Sequence, residues 1–375
     1  MSADPHMRRE TPLAQELKAR IRREGPLRVR DYMAACLYDP QHGYYRTRPA
    51  IGRAGDFVTA PEISQIFGEL IGLWCAVVWQ QMGAPAEVDL VEIGPGRGTL
   101  MRDALRATRR VPGFAGALRV SLVESSQTLT ALQRATLADA AVPIAWHATL
   151  DGLAHDAATP TILVANEVLD CEPRDQFVRA RHGWSPRTIG VDAADQLAFQ
   201  IADTPIPMPD LDEMYPDARD GDMAEPSRFD LVHQAIAIRP TLAALLIDYG
   251  HTEPGLGDTL QAVRDHQPEH PLGSPGEADL TMQVDFSALA RSVGRIPGMR
   301  MDGPVPQAEF LGSLGAVERA SRLMAANPAK AAMLEAGIAR LLSPGGMGTR
   351  FQAVGVRAAH LPPLPGFPGP VLDRK

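Results

Sequence analysis

Lysine is scarce in this chain: of 37 basic residues only Lys18, Lys330 and Lys375 are lysines. That bias reflects a GC-rich coding sequence and points to a bacterial source more than to a function. Cysteine is as rare. Cys36, Cys75 and Cys171 stand far apart without C-x-x-C spacing, which argues against a disulfide framework and against a thiolate metal site. No basic run occurs and the net charge is −8, so a nucleic-acid backbone is not expected as a partner. No apolar run reaches the length of a bilayer span, so no membrane insertion is expected. The opening Met-Ser-Ala-Asp-Pro-His has neither a signal-peptide core nor an Arg/Ser-rich presequence. The expected compartment is the cytoplasm.

What remains is ordinary for a globular enzyme. The 375 residues are 45% hydrophobic, enough for one large domain with insertions or for two domains.

One stretch stands out: Val88-Asp-Leu-Val-Glu-Ile-Gly-Pro-Gly-Arg-Gly-Thr99. An apolar strand runs through Glu92 into a turn with Gly94, Gly96 and Gly98, and a helical pattern follows at once. Strand, glycine turn and helix N-terminus together make a nucleotide-type pocket. The glycines let the backbone bend and let a ligand approach closely. The dinucleotide fingerprint is G-x-G-x-x-G, but here the third glycine comes one residue early. A carboxylate at Glu92 would repel a diphosphate and would suit an ammonium. The nucleoside cofactor that offers an α-ammonium and no phosphate is S-adenosylmethionine (SAM). A second strand ends in Glu124, placed to accept ribose hydroxyls.

Periodicity predicts helices over 11–24 and 30–37, and a long helix over 62–81 opened by Pro61. Strands are predicted at 88–93, 118–124, 142–146, 161–165 and 243–248, with Ser125 capping the helix after the second. A last strand over 350–357 closes the sheet as its antiparallel member. The alternation argues for an α/β, doubly wound, mostly parallel sheet. It breaks twice, leaving large insertions after strands 4 and 5. Residues 177–201 read as a hairpin and 202–226 as an exposed loop. The expected organisation is a helical N-terminal segment over 1–85, to which the resemblance given below adds a cofactor lid, and a core over 86–250 with an insertion at about 171–240. A helical substrate-recognition region over 251–345, a closing strand at 346–360 and a flexible tail at 361–375 complete it.

Several blocks in order resemble the MidA family of SAM-dependent methyltransferases, whose mitochondrial members are assembly factors of respiratory complex I. They are Tyr38-Asp-Pro-Gln-His-Gly-Tyr-Tyr45, Gly55-Asp-Phe-Val-Thr-Ala-Pro-Glu-Ile-Ser64, Gln65-Ile-Phe-Gly-Glu69, and Glu92-Ile-Gly-Pro-Gly-Arg-Gly-Thr-Leu100. Ala165-Asn-Glu-Val-Leu-Asp170, Ile247-Asp-Tyr-Gly-His251, Ala278-Asp-Leu-Thr281 with Val284-Asp-Phe286, and Met347-Gly-Thr-Arg-Phe351 follow. Ala60 and Thr349 depart from the family pattern, which has Ser and Glu there. The resemblance implies a seven-stranded class I methyltransferase sheet and, in the mitochondrial members, methylation of an arginine in a complex I (NADH dehydrogenase) core subunit.

For the cofactor, Glu92 and the backbone of Gly94, Gly96 and Gly98 are expected to hold the methionine part, with Asn166 beside it. Glu124 is expected at the ribose and Trp146 at the adenine edge, although Trp146 reads equally well as packed core. In that family the loop with Gly55, Asp56 and Thr59 looks like a lid over the cofactor; an ordinary helix N-cap region is the alternative. For the acceptor, Glu167 and Asp170 would pair on one face if their turn is helical, which suits a guanidinium. A surface salt bridge or cap is the competing role for Asp170. His251 would move a proton or position the acceptor, with Asp248 orienting it; a structural histidine is the plainer alternative. The expected partner is a protein substrate, and a homodimer is compatible with the sequence. A SAM-binding assembly chaperone without turnover, a small-molecule methyltransferase and a dehydrogenase are the rival readings.

Overall fold

A computed structural model of the chain describes residues 8–47, 58–156, 158–239 and 241–368. The chain divides into two units, each built from three stretches: 1–57, 170–229 and 251–289 in one, and 58–169, 230–250 and 290–375 in the other. The contiguous blocks expected from the sequence do not coincide with these units, because both insertions return to the N-terminal segment.

The second unit holds the large sheet. Along its continuous path the strands are β1 (Val88–Ile93), β2 (Leu118–Val123), β3 (Ile144–His147), β4 (Thr161–Asn166), β5 (Leu242–His251), β6 (Met299–Pro306) and β7 (Phe351–Ala358). They lie in the order β6-β7-β5-β4-β1-β2-β3. The pairings from β3 to β5 are parallel, and β7 runs antiparallel to both β5 and β6. Every residue of β1 is buried, as expected of a parallel strand covered on both faces. The chain leaves β1 for β2 on one side and later enters β4 on the other. The crevice between β1 and β4 is therefore the topological switch point, where open α/β sheets bind ligands.

Helices α1 (Ala60–Ile63), α2 (Gln65–Gln81), α3 (Thr99–Thr108) and α4 (Gln127–Thr136) belong to the same unit. The single long helix expected over 62–81 is in fact broken at Ser64, whose backbone is extended (φ −153°) and whose hydroxyl accepts from the Ile66 N–H. Gly72 lets α3 lie close: a Cβ there would stand 2.6 Å from the Ala104 Cα. Strand β6 was not expected. Its Gly303, Pro304 and Pro306 read as loop, but β6 lies at the sheet edge, where proline is tolerated. The tail expected to be loose is packed as far as it is described. Leu361, Leu364 and Phe367 are buried, and the Trp74 Nε1–H donates to the Pro365 carbonyl at 2.9 Å. No helix among the described residues is long and apolar enough to cross a membrane.

The first unit packs helices Pro12–Glu24 and Val29–Tyr38 with short antiparallel strands. Leu13, Leu17, Tyr32, Met33 and Leu37 share its core with Ile189, Leu197 and Leu280. The expected hairpin is a three-stranded run, with Gly183–Val191 between Phe177–Ala180 and Leu197–Ile201. The region expected to be helical also contributes strands Gln261–Arg264, Gln267–Glu269 and Asp279–Thr281.

Candidate active site

The end of β1 meets the crevice through Glu92, which is 4% exposed. Burial pushes its carboxyl up to about 8. Its Oε2 has no hydrogen-bond partner among the described residues. Beyond it, Gly94, Gly96 and Gly98 all take left-handed backbone (φ +62°, +54° and +78°). Side chains rarely adopt that conformation, and a Cβ on Gly94 would also come within 3.0 Å of Val168. Thr99 opens α3, and its hydroxyl donates to Glu62 of α1.

Glu124 follows β2 at the same edge. One carboxylate oxygen accepts from the Ser126 N–H at 2.7 Å. Ser126, and not Ser125, caps α4. The other oxygen accepts from Gln133 Nε2 at 3.1 Å. Gln133 is wholly buried on α4; its Nε2 also donates to the Gly96 carbonyl at 2.8 Å, and its Oε1 accepts from Trp146 Nε1 at 3.1 Å. Trp146 is half-buried, with the Arg134 guanidinium 4.0 Å from its ring centroid.

Strand β4 forms the other wall. Ile93 pairs in register with Ala165, so Asn166 and Glu167 end beside the glycine turn. Asn166 Nδ2 donates to Glu167 Oε1 at 2.9 Å, while its buried Oδ1 has no partner among the described residues. Glu167 has φ +57°, a left-handed conformation rare for a residue with a side chain. Its Oε1 also accepts from the Ala60 N–H, at the start of α1, at 3.0 Å. Burial raises its carboxyl to about 7, with the two donors pulling the other way and the nearby Asp248 charge adding to the rise.

Asp248 does not face His251. It is fully buried, and its Oδ2 accepts from the Val168 and Leu169 N–H groups at 3.0 and 2.8 Å. Its Oδ1 accepts from the Tyr249 N–H at 2.8 Å. It clamps the turn that carries Glu167. That turn is not helical, so Glu167 and Asp170 do not share a helical face. Asp170 is buried in the other unit, where its carbonyl accepts from the Met282 N–H. His251 Nδ1 lies 2.5 Å from the Glu253 carbonyl oxygen and 3.9 Å from Asp285 Oδ1. Thr59 precedes α1, but its side chain makes no capping bond. Gly55 and Asp56 lie outside the described residues.

Residues 70–305 match the model of Methyltransf_28, an S-adenosyl-L-methionine-dependent methyltransferase family. The chain is 34% identical to the mitochondrial protein arginine methyltransferase NDUFAF7 homolog of Drosophila melanogaster, over 95% of this chain and 88% of that protein. It is also 34% identical to human NDUFAF7, over 91% and 82%. It belongs to the MidA family of SAM-dependent methyltransferases. A COG1565 superfamily protein from Burkholderia thailandensis, crystallised with S-adenosyl-homocysteine, superimposes with a TM-score of 0.83 at 26% identity, covering 96% of this chain and 97% of that one.

The cofactor of this methyltransferase is therefore SAM. The crevice fits it. Two buried acceptor oxygens without partners, on Glu92 and Asn166, face an edge where an α-ammonium has donors to offer and a diphosphate has none. Two residues escaped the sequence reading. Gln133 carried a signal, since Leu129, Gln133 and Leu137 form one buried stripe at four-residue spacing. Ala60 acts through its backbone N–H, which no sequence pattern marks.

Proposed function

We propose that this enzyme methylates an arginine side chain of a protein, and that the protein is a subunit of respiratory complex I. The observation that carries the reading is Glu167, a half-buried carboxylate held by two donors in a strained backbone conformation at the carboxyl edge of β4, beside the cofactor crevice. Such strain persists only where the surroundings enforce it, and it collects at functional sites. The relatives named protein arginine methyltransferase supply the acceptor class.

Glu92 and Asn166 would then receive the ammonium, the glycine turn would admit the methionine backbone, Glu124 would receive the ribose and Trp146 would border the adenine. SAM supplies an electrophilic methyl on a sulfonium. An arginine arrives as a cation, since its pKa lies above about 12. Glu167, once ionised, draws the positive charge of the guanidinium to one end and leaves electron density on the attacking nitrogen. The attacking nitrogen would take the methyl as its bond to sulfur breaks, with S-adenosylhomocysteine as the leaving group, and the displaced N–H proton would pass to the ionised Glu167 or to water. Asp248 acts through Glu167 as a positioning residue. The walls of the crevice exclude water and hold the reactants in line.

The test is methyl mapping of purified complex I subunits by mass spectrometry, comparing a deletion strain with the same strain carrying wild type or Glu167→Gln. An arginine methyl mark that vanishes in the deletion and returns only with wild type supports the reading. A mark on another residue type would overturn the acceptor class, and full restoration by Glu167→Gln would overturn the role of the carboxylate.

A further inference from the structure

Gln133 touches three parts of the cofactor site that come from three different elements. Its amide nitrogen bonds the Gly96 carbonyl in the glycine turn and the Glu124 carboxylate after β2. Its amide oxygen accepts the indole N–H of Trp146 on β3. The assignment of oxygen and nitrogen is fixed by chemistry, because two partners are acceptors and the third is a donor. A Cβ on Gly98 would lie 3.5 Å from both Cα and Cγ of Gln133, so the residue also floors the turn. The next residue, Arg134, covers one face of the same indole.

Most buried glutamines satisfy their amides. This one does so entirely with groups that border the cofactor. We propose that Gln133 is the positioning residue that locks the adenosine half of the SAM site to the glycine turn. It aims the Glu124 carboxylate, fixes the Gly96 peptide and holds the edge of Trp146, and so sets cofactor affinity without touching the acceptor or the methyl group. The proposal rests on SAM binding and is independent of the acceptor's identity.

Calorimetric titration of S-adenosylhomocysteine into the full chain tests it. Gln133→Met keeps the volume and removes all three bonds. Its Kd rises about tenfold or more, the scale of a lost hydrogen bond to a charged group. The KM for SAM rises in parallel, while kcat at saturating SAM stays within about twofold, because only uniform binding is lost. Gln133→Glu keeps the acceptor for Trp146 but places a second carboxyl beside Glu124. It binds worse than Gln133→Met at pH 8 and recovers relative to it as pH falls, since only the protonated carboxyl donates to Glu124. A purely structural role would not produce that recovery. Trp146→Phe removes the indole N–H together with part of the ring, leaves Gln133 in place and keeps the proposal testable if Gln133→Met fails to fold; it raises the Kd about threefold or more. An unchanged Kd in Gln133→Met or in Trp146→Phe overturns the proposal. So does a loss confined to kcat.

Discussion

The ends of β1 and β4 are neighbours in register, and each carries a glutamate, buried at Glu92 and half-buried at Glu167, yet the chain turns there in opposite ways. At β1 the bend belongs to Gly94, Gly96 and Gly98, and Glu92 keeps ordinary strand backbone with an oxygen unpartnered among the described residues. At β4 the bend falls on Glu167 itself, which takes the left-handed conformation and accepts from Ala60 and Asn166. The first wall stores an unmet acceptor and no strain at the acid. The second stores strain at the acid and meets it with donors. An unmet acceptor waits for a cationic ligand; a strained, held carboxylate is aimed. On the proposed reading, the first wall captures the cofactor and the second handles the acceptor.

The sharpest way to break that comparison is to remove one charge at a time. Glu167→Gln is expected to lower turnover by about 10²–10⁴-fold, the usual range for a lost acid–base group, with S-adenosylhomocysteine affinity unchanged within about twofold. Glu92→Gln is expected to weaken S-adenosylhomocysteine by about 10–100-fold, the scale of one charge-assisted hydrogen bond. Calorimetry and a methylation assay on both variants decide. If each variant loses affinity and turnover together, the two walls do not divide the work.

Next in size is the clamp. Asp248→Asn turns an amide N–H toward the Val168 and Leu169 N–H groups or gives up Tyr249. A stability loss of about 2–3 kcal/mol is expected in urea titration, since buried donors are left unmet. Stability within 0.5 kcal/mol of wild type, a margin of about the size of a neutral surface change, would remove Asp248 from its role.

This clamp also marks how far the sequence could be read. Val88 to Thr99 declared strand, acid and turn because all its signals are local. Asp248 looked like a partner for His251 because the two are neighbours in sequence, while its real partners lie near residue 168 and appear only when β5 pairs with β4. Gln133 sat visibly on an apolar stripe, but nothing local says that a glutamine there meets Gly96, Glu124 and Trp146. Strand β6 was hidden by prolines that only an edge position tolerates. What the sequence withheld is in each case long-range pairing.

Protonation separates the walls more finely. Burial raises Glu92 from 4.5 to about 8 in the cofactor-free protein. A carboxyl raised on folding contributes stability that is complete below about pH 4.5 and is lost as pH rises through about 8. Cofactor-free stability should therefore fall across that window, and Glu92→Gln should flatten the fall. An ammonium beside Glu92 favours the carboxylate, so S-adenosylhomocysteine binding at pH 7 should release a proton. Calorimetry in two buffers of different ionisation enthalpy detects it, and a buffer-independent heat would reject the pairing. Glu167 is raised to about 7, and its ionised form is the working one, so kcat/KM for the acceptor should climb through neutral pH. Glu167→Gln should lose that limb, and a limb that persists belongs to another group.

The smallest expected effect isolates the strain. Left-handed backbone costs an ordinary residue about 1 kcal/mol relative to glycine. Glu167→Gly removes that cost but gives up the side-chain bonds to Ala60 and Asn166 and adds flexibility to the unfolded chain. Gains and losses are of similar size, so stability should stay within about 1 kcal/mol of wild type although a hydrogen-bonded carboxyl has been deleted. At β1 the corresponding change, Gly96→Ala, has no such compensation and should cost about 1 kcal/mol or more. Thermal unfolding of the two variants compares them directly. Glu167→Gly falling further than Gly96→Ala would mean that the carboxylate holds the turn in place; parity or better means that the turn, held by Asp248, holds the carboxylate.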